Sequence, residues 1–237
     1  FTSLRFSCYL NVVNRLIVQA HDSAGNISVQ FGTETPTAYT ADGTWHTVMA
    51  SAKVSGSGTV LNRHLYVDGV DEHGWTGASE SGNTFEFTGG STFNLGSQAS
   101  GFNQTDCILG PFVWDNSYVD LSSSTNRDNI INAIGAGNYM KDPGNGSNYI
   151  GSQALVSFKD AASSYETNYG SGGTFTANGT TLTDVYNNIP SVYFDNNPES
   201  NVTQITRGAD LTGIADGTGG FLAFGFKLTD SSQDATS

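Results

Sequence analysis

The sequence predicts an all-β sandwich with antiparallel sheets and one short helix over 124–134. Three observations carry that expectation. Apolar residues recur at every second position, the alternating runs are short and separated by glycine-rich turns, and a single stretch changes to helical spacing. With 237 residues the chain is long enough for one large all-β domain with a substantial core.

Along the chain, Leu4, Phe6, Cys8 and Leu10 share one strand face, while Ser3, Arg5, Ser7 and Tyr9 share the other. Leu16, Val18 and Ala20 repeat the alternation. Asp22-Ser-Ala-Gly-Asn26 makes a polar turn, and Ile27, Val29 and Phe31 return as the second arm of a hairpin. Between Thr44 and Val54, the residues Val48, Ala50, Ala52 and Val54 lie on one side. Leu61, Arg63, Leu65 and Val67 alternate next and end at Asp68-Gly69, a tight-turn dipeptide. Phe85 with Phe87, Phe93 with Leu95, and Ile108 to Trp114 supply further strands, which makes Trp45 and Trp114 strand residues of the core. For the helix, Ser122-Ser-Ser-Thr125 offers N-caps, Thr125 and Asp128 have capping-box spacing, and Gly135 is placed to end the stripe Ile130, Ile131, Ile134. Gly135 to Asn148 reads as loop, Leu155 to Phe158 as a strand, and Asn168 to Thr183 as polar chain running over the surface.

Charge narrows the partners. Against 9 Lys and Arg stand 22 Asp and Glu, a net charge of −13, which argues against an anionic membrane surface as partner and excludes nucleic acid, because phosphate binding needs clustered cations. No run approaches the roughly 18 apolar residues of a membrane-spanning helix. The 11% aromatic content argues for packing rather than disorder. Phe1-Thr-Ser-Leu-Arg5 has neither an initiator Met nor a signal-peptide layout and reads as the start of a strand, in a processed chain or one cut from a longer one. The two cysteines exclude a disulfide scaffold and a Cys-x-x-Cys zinc site, and leave open a Cys8–Cys107 disulfide or two buried thiols.

Trp45-His46-Thr-Val48, followed by His64-Leu-Tyr-Val-Asp-Gly69, resembles the laminin-G-like, concanavalin-A-like jelly roll, and Asn94-Leu-Gly96 with Ile108-Leu-Gly-Pro-Phe-Val-Trp-Asp115 is similar to its later strands. Tyr118-Val-Asp-Leu-Ser122, Asn126-Arg-Asp-Asn-Ile130, Gly151 to Phe158 and Tyr169 to Phe175 resemble a subgroup found in tailed-phage and prophage virion proteins. Ser191 to Asp195, Thr206 to Gly213 and Gly220 to Leu228 resemble the opening strands of the same family, as in a circular permutation or a frame cut from a tandem array. The resemblance therefore implies three parts: main jelly-roll strands over 1–120, a helix and loop-rich extension wrapping the sandwich over 121–188, and strands over 189–237 that complete the jelly roll in their own chain or in a neighbour's. It also implies a virion-surface or extracellular structural protein, not an enzyme, whose partners are copies of itself, other virion proteins and cell-surface glycan. The alternatives are a bacterial cell-surface carbohydrate-binding module or adhesin and, third, a glycan-degrading enzyme.

Sugar binding takes an aromatic ring and planar polar side chains on a sandwich loop, and Asp71, Glu72, His73 and Trp75 provide such a set after the Asp68-Gly69 turn. The plain alternative is an ordinary exposed loop whose Trp75 plugs the sandwich end or a subunit contact. Glycoside hydrolysis needs two carboxylates about 5–5.5 Å or 6.5–9.5 Å apart. Glu80 and Glu86 are separated by a Gly-Asn turn, Asp71 and Glu72 point apart on a strand, and the Glu-x-Asp-x-x-Glu pattern of one enzyme family on this fold is missing. There is also no Gly-x-Ser-x-Gly, His-Glu-x-x-His or phosphate loop, and the histidines at 21, 46, 64 and 73 are scattered. The laminin-G-like resemblance further implies Ca²⁺ at one rim, for which Asp22, Asn26, Asp195, Asn196, Asn197, Asp216 and Asp234 offer oxygens without a diagnostic spacing; as turn formers they need no metal.

Overall fold

The structure, a computed structural model, describes residues 6–10, 15–34, 43–77, 80–88, 93–95, 107–134, 137–158, 167–178, 181–186, 189–194, 204–207 and 211–228. The first strands are β1 (Ser7–Leu10), β2 (Leu16–His21), β3 (Ile27–Gly32), β4 (His46–Val54), β5 (Val60–Val67), β6 (Val70–Asp71), β7 (Trp75–Thr76), β8 (Phe93–Leu95) and β9 (Cys107–Asp115). Helix α1 (Ser124–Ile130) precedes β10 (Ile131–Ile134) and β11 (Gly137–Met140), and helix α2 (Ser147–Ile150) precedes β12 (Val156–Phe158). There follow β13 (Thr176–Asn178), β14 (Thr181–Tyr186), β15 (Ile189–Phe194), β16 (Gln204–Arg207) and β17 (Gly219–Leu228).

Two antiparallel sheets form the body: a small one in the order β1-β2-β3-β7 and a large one in the order β14-β15-β9-β17-β4-β5-β6, with β12 also beside β9. The alternating apolar residues meet between them. Leu16, Val18, Ala20, Val29 and Phe31 come from the small sheet, and Val48, Ala50, Ala52, Leu65, Trp114 and Leu222 are among those from the large one. The protein is thus a mostly-β, antiparallel sandwich. Strand β17 sits at the centre of the large sheet, paired with β4 on one side and β9 on the other.

The outer face of the large sheet is covered as well over β4, β5, β9 and β17. Met49, Tyr66, Val113, Phe221 and Ala223 pack against Val119, Leu121, Ile130, Met140, Tyr149 and Ala154, so the described residues of 119–134 and 137–154 lie over the sandwich as a third layer. This explains why β9 and β17 read as nearly continuous apolar runs, since a strand buried on both faces has no solvent side to keep polar. Asp115, only 3% exposed, anchors this layer: its carboxylate accepts from Ser117 N at 2.8 Å and Leu155 N at 3.0 Å.

Pro111 lies inside β9, where a missing N–H would normally break the ladder. It falls where the neighbour of β9 changes from β15, paired over Cys107–Leu109, to β12, paired over Phe112–Trp114. On the opposite edge, the β17 register shifts between Phe224 and Phe226. The proline therefore occupies a bulge rather than a ladder position.

Several expectations are corrected. The helix does not reach residue 134: Ser123 caps it, accepting from Asn126 N, and it ends at Ile130, with Ile131 already extended at φ −97°, ψ 141°. The β-branched residues beyond it pair with β11 instead, so of the stretch read as loop Gly137–Met140 is a hairpin arm and α2 begins at Ser147, while 141–146 is loop as expected. Leu61 is 51% exposed, because the register shift between Lys53 and Val54 puts Val60 against the core in its place. Asn168 to Thr183 does not simply run over the surface, since Phe175 is buried and stands edge-on to Phe158 at 5.1 Å. Trp114 is a core residue, but Trp45 precedes β4 and is half-buried, with Lys227 over its ring at 5.5 Å. Cys8 and Cys107 are free thiols packed against the main core.

Candidate functional site

The Asp68-Gly69 turn positions the site. Both residues have positive φ, 52° and 81°, as a two-residue hairpin turn requires. The Asp68 carboxylate reaches back to the start of β4, where Oδ1 accepts from Thr47 N at 2.8 Å and Oδ2 meets His46 Nδ1 at 2.7 Å. Trp-His and Val-Asp-Gly, distant in sequence, are therefore one structural unit, a strand start clasped to a hairpin turn. Asp68→Ala removes both bonds and places a β-carbon residue without a polar arm at positive φ. It is expected to cost about 1.5–3 kcal/mol in urea denaturation, with Asp68→Asn costing less because the amide oxygen still accepts from Thr47 N.

From this turn β6 pairs with the end of β5, and Glu72 N donates to Leu65 O at 2.8 Å. The chain then leaves the large sheet and crosses to β7, where Trp75 pairs with Gly32 of the small sheet. A cavity of about 350 Å³ lies at this crossing, lined by Glu34, Asp71, Glu72, His73 and Gly74. His73 Nδ1 is bound to Asp71 Oδ1. Burial, reinforced by the charges of Asp71 and Glu34, pushes the Glu72 carboxyl up from its ordinary value. Gly74 packs on Glu34, and a β-carbon there would lie 2.6 Å from Glu34 Cβ, so the glycine sets how closely the crossing approaches β3.

Three of the four residues singled out from sequence, Asp71, Glu72 and His73, line this cavity together. Trp75 does not; it is half-buried on the small sheet, with the Arg15 guanidinium over its ring at 4.8 Å. Glu34, which completes the lining, escaped the sequence reading because it arrives from the other sheet and no spacing connects it to residues 71–74.

Among the other candidate acids, the carboxylates of Glu80, Asp22 and Asp216 have structural partners. Glu80 forms a two-pronged ion pair with Arg63, at 3.1 and 3.2 Å, and accepts from Gln30 N at 2.9 Å. Glu86 lies on the segment whose backbone N donates to His21 O at 2.8 Å. Asp22 accepts from Ala24 N, Asn26 N and Asn26 Nδ2, and these bonds outweigh its burial and hold its carboxyl below the ordinary value. Asp216 Oδ1 accepts from Phe87 N, Thr88 N and Thr88 Oγ1. Both of these candidate calcium ligands thus serve as turn and loop ties, whereas Asp195, Asn196, Asn197 and Asp234 lie outside the described residues. Among the described residues, no group of three or more His, Cys, Asp or Glu is arranged to hold a metal ion. No helix among them is long and apolar enough to cross a membrane.

Compared with family models, with curated proteins and with solved structures, the chain matches none.

Proposed function

We propose that this chain is a non-enzymatic structural and surface module of a phage or phage-like particle, built on a concanavalin-A-like, laminin-G-like jelly roll, and that the cavity at the β6–β7 crossing is where it contacts host glycan. The observation that carries the glycan contact is the lining itself. Glu34, Asp71, Glu72 and His73 converge on about 350 Å³, and their carboxylates and imidazole are the planar donors and acceptors that sugar hydroxyls take. The structural role is supported by the collinear motifs from Tyr118 to Phe175 and by the burial of β4, β9 and β17 on both faces. Glu80, one of the acids a glycan-degrading enzyme would need, is engaged by Arg63 and Gln30 N.

Glycan-array binding with the purified protein tests this. The expected result is saturable binding to one glycan class, weakened at least tenfold in Asp71→Asn/Glu72→Gln, with no reducing ends released on incubation. Absence of saturable binding overturns the glycan contact, and release of reducing ends overturns the non-enzymatic reading. The cavity would serve a bacterial cell-surface carbohydrate-binding module or adhesin equally well. Antibody labelling separates the two: label on particles supports the present reading, and label confined to cell surfaces replaces it with the adhesin.

A further inference from the structure

The two walls of the cavity are tied together by a side chain that does not line it. Arg15 stands just before β2, at the end of the small sheet where β2, β3 and β7 lie side by side. Its Nη2 donates to Glu34 O at 3.1 Å, and its guanidinium lies 4.8 Å over the Trp75 ring. The hydrogen bond has one possible direction, since a guanidinium only donates and a carbonyl only accepts.

The strand register explains how Arg15 reaches a ring two strands away. Ile17 of β2 pairs with Gly32 of β3, and Gly32 pairs with Trp75 of β7, so these three positions share one face of the sheet. Gly32 puts no side chain between its neighbours, and a β-carbon there would lie 2.4 Å from Leu16 O. The glycine thus leaves room for the arginine to span β3 and reach the indole. Each of its two contacts falls on one wall of the cavity. Glu34, two residues beyond Gly32, forms the first wall, and Gly74, next to Trp75, belongs to the second. The walls touch where Gly74 meets Glu34, at a spacing too close for a β-carbon on residue 74.

We infer that Arg15 is a positioning residue of this cavity, a strap that holds Glu34 and residues 71–74 at the spacing where their side chains converge. Its part in glycan recognition rests on the glycan reading of the cavity, whereas the strap itself does not. The task needs a planar cation, because one guanidinium donates from its edge to Glu34 O while its face lies on the indole. The same contact sets the role of Trp75. The ring face that Arg15 covers is closed to a sugar, so Trp75 acts on the cavity through Arg15 and not as a stacking platform.

NMR, amide exchange and the glycan array test this together. In the free wild-type protein, the indole ring current is expected to move the Arg15 side-chain protons upfield, and Trp75→Leu to abolish that shift. In Arg15→Ala, exchange over 74–77 is expected to rise about five- to thirtyfold with β4 unchanged, the scale of an exposed cation–π contact plus a hydrogen bond. On the array, apparent affinity for the printed oligosaccharide that wild-type protein binds is expected to fall by up to the same factor in Arg15→Ala. The double variant with Trp75→Leu is expected to lose no more than Arg15→Ala alone, and Arg15→Lys to recover little.

An unshifted Arg15 in the wild-type protein, or unchanged exchange over 74–77 in Arg15→Ala, overturns the strap. Additive losses would make Trp75 a direct platform, and full recovery in Arg15→Lys would leave a charge effect; either overturns the proposal. If the wild-type protein binds no printed oligosaccharide, the glycan reading falls, and the resonance shift and the exchange decide the strap alone. The wild-type resonance shift stands even where a variant fails to fold.

Discussion

Trp114→Ala is expected to lower the free energy of unfolding by about 3–5 kcal/mol, the cost of emptying a large aromatic site in a close-packed core. Trp114 is 2% exposed and stands edge-on to Phe87 at 5.3 Å, the last ring in a chain that runs from Phe6 through Phe85 and Phe87. Its indole N–H also donates across the sandwich to Phe6 O at 2.9 Å, so the substitution leaves that buried carbonyl without its donor. Equilibrium denaturation in urea, followed by far-ultraviolet circular dichroism, measures the loss. A change below about 1 kcal/mol, the scale of an ordinary surface substitution, would mean that the two sheets do not meet at this residue.

The second large effect is expected at Gly220 in β17. A β-carbon at this position would lie 2.7 Å from Phe6 Cγ, in a ring already stacked on Phe85 with centroids 5.7 Å apart. The ring cannot retreat, so Gly220→Ala is expected to cost about 1–3 kcal/mol by overpacking. The same change in a Phe6→Ala background is expected to cost almost nothing, because the obstructing ring is gone. The coupling energy from the double-mutant cycle should therefore reach about 1–3 kcal/mol, and additivity within about 0.5 kcal/mol would show that Phe6 does not lie over this part of β17.

These two sites show what was legible in the sequence. Val18, Val48, Ala50 and Leu65 announce their inward face by spacing alone, because a strand buried on one side must alternate. Phe221 to Leu228 announces only that it is apolar on both sides. Its place between β4 and β9 depends on partners distant in sequence, which local pattern does not encode. The extent of the helix was misread because Ile131 and Ile134 satisfy helical spacing and a hairpin arm equally well, and pairing with β11 decides between them. Leu61 was misread because one bulge residue reverses the alternation at a strand end. The cavity was half legible. Residues 71–73 are contiguous and visible as a polar set, whereas Glu34 joins them only through the crossing from one sheet to the other.

Strand β17 fills the centre of its own chain's large sheet, between β4 and β9. Molar mass by light scattering across a dilution series tests that claim. One chain, 25.0 kDa, is expected at every concentration. A concentration-dependent ladder or a filament would contradict it, and would place β17 in the sheet of a neighbouring copy.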